Sequence, residues 1–262
     1  MKLTNKKIIV TGAGSGIGKE LTLQLVNKDV FVIALDINDE KLNDLNKKIN
    51  DSNKLLIYKI GLEQEAEIEK FYNYIKNKNI IVDGIINNAG IIQPFQDLEQ
   101  LDNKIIKKVM NINFYAPLFL TKLFISDLKQ RPEASIVNIS SMGGFFPFPG
   151  QSVYGASKAA LKLLTEGLYS ELLNTNVSVT VVFPGAINTD IAKDLDIKAK
   201  ESSKMKLTSP KKAASLIIKA MEKNQYKLYI GSDAKFMNIL YKINPKFAIK
   251  KINQIMKKTL DK

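Results

Sequence analysis

The chain contains no cysteine and no histidine. The first absence excludes disulfides, thiolate metal sites and cysteine nucleophiles. The second excludes every Ser-His-Asp triad and every histidine-bound zinc or iron site. Proton transfer would therefore fall to tyrosine, lysine, aspartate or glutamate. Arginine is scarce as well, with Arg131 the single one among 262 residues. Base-edge reading and bidentate phosphate recognition favour arginine, so the net charge of +13 does not point to nucleic acid. That charge is also unevenly spread. Residues 1–192 carry 21 Lys+Arg against 20 Asp+Glu, whereas residues 193–262 carry 18 against 6. A near-neutral body is followed by a basic tail. No run of about 18 apolar residues is present, and the apolar stretch at residues 8–10 is far too short for a signal peptide. The expected location is the cytoplasm, with peripheral attachment at a membrane surface as the variant.

What is present is a repeating alternation. The apolar fraction of 45% suffices for a buried core. Strand-like runs lie at 6–10, 30–35, 54–60, 83–87, 134–140, 177–183 and 227–230. Helical periodicity fills 17–28, 39–50, 64–78, 102–130, 152–174 and 209–223. Alternating strands and helices predict a parallel sheet covered on both faces. Right-handed crossovers make it doubly wound, with its ligand crevice beyond the carboxyl ends of the strands. Thr11, Asp36, Asn87, Ser140, Ser141 and Pro184-Gly185 all fall at or just after a predicted strand end, and should line that rim.

The first rim segment is "TGAGSGIGKE" (11–20). A phosphate loop of the ATPase type needs two glycines five apart, then Lys and a hydroxyl residue. Ala13 and Glu20 break that pattern at both ends. The strict G-x-G-x-x-G fingerprint is also missed, because Ile17 follows Gly12 and Gly14 at its last position. Glycines at 12, 16 and 18 suit a tight turn, a close approach to pyrophosphate and close helix–sheet packing, with the helix N-terminus facing the anion.

The spacing TG-x-x-x-G-x-G resembles the short-chain dehydrogenase/reductase family. So do "NNAG" (87–90), "NISS" (138–141), "YGASK" (154–158) and "PGAINT" (184–189), in the same order. The resemblance covers residues 5 to 230. It implies a Rossmann-like catalytic unit over 1–232 with one sheet of about seven strands, and a hydride transfer between nicotinamide and a secondary alcohol or ketone. Within it Tyr154 would exchange the proton, Lys158 would tune Tyr154 and grip the ribose, Ser141 would position the substrate oxygen, and Asn113 would hold a relay water. Asn111 competes with Asn113, but the spacing to "PLFLTK" favours Asn113. An unperturbed phenol has a pKa of about 10, and a lysine one helical turn away, together with the positive nicotinamide ring, is expected to lower it. The resemblance assigns the dinucleotide to Gly12, Ser15, Gly16, Ile17, Gly18, Asp36, Leu62, Asn88, Ala89, Gly90, Pro184, Gly185, Ile187 and Thr189, along with Tyr154 and Lys158. No metal is implied.

Asp36 ends the second strand, where a carboxylate accepts ribose hydroxyls and repels a 2′-phosphate. NAD is thus expected over NADP, with nearby Lys41 as the contrary sign. Relatives usually carry an aspartate after the third strand, where this chain has Gly61, so a weaker adenine contact at Leu62 is expected. An apolar substrate is expected from "MGGFFPFPGQSV" (142–153) and from Ile92, Gln93, Pro94 and Phe95, with Ser141, Gln93, Phe145 and Tyr154 touching it. Residues 190–209 read as a lid.

The tail, 233–262, reads as two basic amphipathic helices with Asn244-Pro245 as cap and first turn. Phe236, Ile239, Leu240 and Ile243 form one stripe, and Ile249, Ile252, Ile255 and Met256 another. Such faces pack on the domain, on a second subunit, or on an anionic membrane. A homodimer or homotetramer is expected through the long helices near 105–130 and 152–174. A catalytically idle nucleotide-binding regulator and a tail-driven surface binder are the competing functions.

Overall fold

The structure is a computed structural model that describes residues 1–188 and 207–260, with side chains through Met256. Thr189 and most of the expected lid lie outside the described residues. The described residues form one seven-stranded sheet in the order β3-β2-β1-β4-β5-β6-β7, parallel throughout. Its strands are β1 (Lys7–Thr11), β2 (Phe31–Asp36), β3 (Leu55–Lys59), β4 (Gly84–Asn87), β5 (Ala134–Ile139), β6 (Val177–Pro184) and β7 (Lys227–Ile230). Every predicted strand is present. Their near-continuous apolar runs suit a sheet buried on both faces.

Helices α1 (Gly16–Val26) and α2 (Asp39–Ile49) follow the first two strands. They are joined on the same face by α7 (Pro210–Glu222), and Leu21, Leu25, Leu42, Leu45 and Ile217 bury there. The opposite face carries α3 (Glu65–Asn77), α5 (Ala116–Lys129) and α6 (Ser152–Glu171). Phe71, Leu120 and Phe124 fill that layer. Full burial of each such side chain contributes about 1.5–3 kcal/mol. Local signals set the ends. Asn38 accepts a hydrogen bond from Lys41 N at 2.9 Å to cap α2, with Asp39 and Glu40 in its first turn and Lys47 and Lys48 in its last.

One expected helix is divided. The stretch 102–130 forms α4 (Asn103–Met110), then a π turn over Asn111–Tyr115, then α5. The π turn inserts a residue and rotates the face of α5 relative to that of α4. The tail forms α8 (Ser232–Ile243) and α9 (Pro245–Leu260), with Asn244 Oδ1 accepting from Phe247 N at 3.0 Å as the cap.

The order reverses between β1 and β4, so the crevice for a ligand opens at their carboxyl ends. A buried polar chain fixes that region. Asn87 Nδ2 donates to Asn138 Oδ1 at 2.7 Å and to Thr121 Oγ1 at 3.3 Å, and Asn138 Nδ2 donates to Thr165 Oγ1 at 2.9 Å. Asn138→Leu strands the Asn87 amide and should lower unfolding stability by about 1–3 kcal/mol. Urea unfolding checks it; an unchanged midpoint would show that the chain of amides is not structural.

Candidate functional site

At the switch point Thr11 Oγ1 accepts from Asn88 N at 3.0 Å and Ala89 N at 2.9 Å. Asn88 returns its Nδ2 to the carbonyls of Thr11 (3.0 Å) and Gly12 (3.3 Å). The loop after β1 and the loop after β4 are thereby held together. Gly12 and Gly16 adopt φ of +65° and +51°, which side-chain-bearing residues avoid. A Cβ on Gly18 would overlap the Gly12 carbonyl. Ser15 stands at the N-cap in extended backbone with no capping side-chain bond, and the first turn of α1 has no acidic residue. The first-turn N–H groups at Gly16, Ile17 and Gly18 have no carbonyl within the helix to meet them, so an anion is the fitting partner. Asp36 borders the same loop. Its Oδ2 accepts from Gly14 N at 2.8 Å and its Oδ1 from Asn38 N at 2.9 Å. This cradle, open only because its glycines lack side chains, fits a dinucleotide.

Across the rim, Tyr154 and Lys158 lie one turn apart on α6, whose first turn faces the end of β5. Ser141 follows β5 and accepts from Gly143 N at 3.0 Å. Neighbouring Ser140 points the other way and donates to the Lys158 carbonyl at 2.8 Å, as strand alternation predicts. Lys158 is buried, and its Nζ donates to the Ile139 carbonyl at 3.0 Å. Burial pushes its pKa down to about 8. Asn113, on the π turn, is fully buried. It accepts from Ile91 N at 2.9 Å and donates to Ile91 O at 2.8 Å and Ser157 Oγ at 3.0 Å. A Cβ on Gly90 would come within 3.0 Å of Lys158 Nζ and 3.2 Å of Asn113 Oδ1. Glycine there lets the chain pass over the lysine and the amide. Asn111 faces elsewhere, into a cavity of about 260 Å³ with Leu62, Glu63, Tyr115 and Phe119. Gly61 beside it meets only open space.

A family model described as short chain dehydrogenase matches residues 6–200. The chain belongs to this family. It is 32% identical over 204 residues to 3-oxoacyl-(acyl-carrier-protein) reductase FabG of Thermotoga maritima, spanning 78% of this chain and 82% of that relative. It is 28% identical over 253 residues to 3-ketodihydrosphingosine reductase of Bos taurus, spanning 92% of this chain and 75% of that one. The solved structure of 4-hydroxyisoleucine dehydrogenase complexed with NADH matches with a TM-score of 0.78 at 27% identity, covering 88% of this chain and 98% of the other.

This short-chain dehydrogenase brings Asn113, Ser141, Tyr154 and Lys158 together, but with two departures from expectation. The Tyr154 phenol is raised above its ordinary value, not lowered. Burial is the larger cause, and its hydrogen bond with Ser141 offsets only part. Lys158 gives one of its three N–H donors to the Ile139 carbonyl. The second departure concerns the cleft. A cavity of about 170 Å³ is lined by Ile92, Phe95, Ser141, Met142, Gly143, Phe148, Gln151, Tyr154 and Pro184–Ala186. Gln93 and Phe145, expected to touch substrate, are absent from that wall. Phe145 packs on Phe183 and Tyr229, at centroid distances of 5.4 and 5.8 Å. Gln93 is fully buried and caps α6: its Oε1 accepts from both Val153 N and Tyr154 N at 2.9 Å, and its Nε2 donates to Gly150 O at 3.0 Å.

The "PGA" turn has a partner that the sequence did not disclose. Asp233, in the first turn of α8, accepts from Ala186 N at 2.6 Å. A Cβ on Gly185 or Gly231 would collide with its carboxylate. Ile187 forms an isolated parallel bridge with Thr208. No local pattern marks Asp233, because the sheet order alone brings α8 beside the exit of β6.

Gln93 thus acts as a positioning residue for Tyr154. Gln93→Leu should lower kcat by about 10–100-fold through misplacement of the phenol, with dinucleotide affinity unchanged. Steady-state kinetics beside NADH titration check it; a parallel loss of affinity, or an unchanged kcat, would contradict the assignment.

Proposed function

We propose that the chain is an NAD-dependent ketone reductase/alcohol dehydrogenase acting on an apolar secondary alcohol or ketone. The observation that carries this reading is the shared cleft: Ser141 and Tyr154 line one cavity together with the "PGA" turn. The dinucleotide would lie over Gly12–Gly18, with Asp36 at its ribose and Lys158 at the inner end, and would supply or accept the hydride.

The chain's own groups supply the proton and the orientation. Tyr154, raised by burial, holds its proton at neutral pH. A protonated phenol is the form that donates to a ketone oxygen. Ser141 Oγ would hold that oxygen beside the phenol. Lys158, positive below about pH 8, favours the phenolate left after donation. Asn113 fixes the backbone behind Lys158. The names of the two reductases agree, since each specifies a 3-keto group, on an acyl chain in one and on dihydrosphingosine in the other. Ile92, Phe95, Met142 and Phe148 give the cleft an apolar wall that suits such a chain. Asp36 supports NAD over NADP, because a 2′-phosphate beside its carboxylate is repelled. Lys41, whose Cβ borders Gly14 beside the Asp36 carboxylate, is the one contrary sign. Leu163 on α6, 67% exposed, supports pairing of two chains through that helix.

A panel of ketones of increasing chain length, run with NADH and NADPH, tests the reading. NADH should be preferred and rates should rise with apolar length. Tyr154→Phe should lower turnover by about 10²–10⁴-fold while retaining NADH binding by fluorescence titration. Undiminished turnover in that variant would remove Tyr154 from the chemistry.

A further inference from the structure

The tail hairpin has two unlike faces. Inward, Ala248 and Ile252 bury against Phe146, with Met237, Leu240, Tyr241 and Met256 around them. Of the two stripes marked in the sequence, the second packs partly inward in this way through Ile252 and Met256. The first does not. Phe236, Ile239 and Ile243 are 61%, 57% and 77% exposed, and their spacing of three and four sets them on one side of α8. Phe247, at the start of α9, is 54% exposed. Lys235, Lys242, Lys246, Lys250 and Lys251 are exposed around these residues, and none joins an ion pair among the described residues. Asp233 is the single acidic residue from 232 to 260, and it is engaged by Ala186 N.

We infer that α8 and α9 dock the chain on an anionic lipid surface. Apolar side chains standing out among lysines, with the backbone satisfied inside two helices, match an element lying in the plane of a bilayer interface. Phe236, Ile239 and Ile243 would enter the acyl boundary, and the lysines would meet lipid phosphates. A second copy fits the face less well. A two-fold contact sets each patch against itself, which would bring Lys235 and Lys242 toward their own equivalents. Among the described residues no helix is long and apolar enough to cross a membrane, so the contact is with the surface. The hairpin also packs on Met142 and Phe148, two residues of the cleft wall, so lipid contact and cleft share one element.

Flotation of the full chain with vesicles tests this without any turnover. Wild type should float with vesicles of phosphatidylcholine containing about one-third phosphatidylglycerol, about tenfold more than with phosphatidylcholine alone, and release at high salt. The triple variants Phe236→Ser/Ile239→Ser/Ile243→Ser and Lys235→Gln/Lys242→Gln/Lys246→Gln should each lose about tenfold or more of the bound fraction, with thermal unfolding unchanged because these side chains are exposed. Equal flotation on neutral vesicles, no flotation, or variants that float like wild type would each overturn the inference. So would conversion of an oligomer to monomer by the Ser variant without any vesicle binding, which would assign the face to a second copy. Ketone reduction by a chain that does not float would leave the redox reading standing alone.

Discussion

The site depends on a lysine held out of water. Lys158 is buried at the junction of β5, the π turn and α6, with the Ile139 carbonyl as acceptor for its Nζ. A protonated amine costs stability there, and the direction follows from its lowered pKa of about 8. Below pH 8 folded and unfolded chains both carry the proton and the penalty is complete, of order 3 kcal/mol. As pH rises from about 8 to 10.5 the folded chain gives up the proton first, and the penalty disappears. A fold selected for stability alone would have an apolar side chain at this position. Under the proposed function, an ammonium at the inner end of the cleft would serve both a dinucleotide ribose and the Tyr154 phenol.

Much of the local architecture serves to seat that lysine. Gly90 clears space over Nζ, and Asn113 ties Ile91 to Ser157 one residue away from it. Ser140 takes up the Lys158 carbonyl. Gln93 fixes the N-terminus of α6, which sets the angle at which Tyr154 and Lys158 leave the helix. On the cofactor side, Thr11, Asn88 and Asp36 hold the glycine loop without using its first-turn N–H groups. The two sides meet at the reversal of strand order, and the tail helices pack near Met142 and Phe148 of the cleft wall.

The features legible in the sequence are those set by local chemistry. Each strand is a short run of mainly apolar residues. Glycines at 12, 16 and 18 and the Tyr154–Lys158 spacing also need no tertiary knowledge. The π turn is not legible, because one inserted residue leaves an apolar helix pattern almost intact; the stretch 102–130 reads as one helix for that reason. Asn113 is still separable from Asn111 by its distance to Pro117. Sequence places Gln93 in the cleft because its neighbours Ile92 and Phe95 do face it, yet its bonds to Val153 N, Tyr154 N and Gly150 O turn it inward. Phe145 escapes the cleft because loop aromatics pack wherever a partner ring lies, here Phe183 and Tyr229. The direction of the Tyr154 shift is beyond reach of the sequence, since proximity along the chain says nothing of where an ammonium sends its protons.

Titration of Lys158 by carbon-13 NMR at lysine Cε tests the central claim most directly. One lysine, absent from the spectrum of Lys158→Met, should titrate near pH 8, well below the other lysines at about 10.5. A full set of lysines titrating at or above pH 10 would contradict a desolvated ammonium as the constraint around which the site is built.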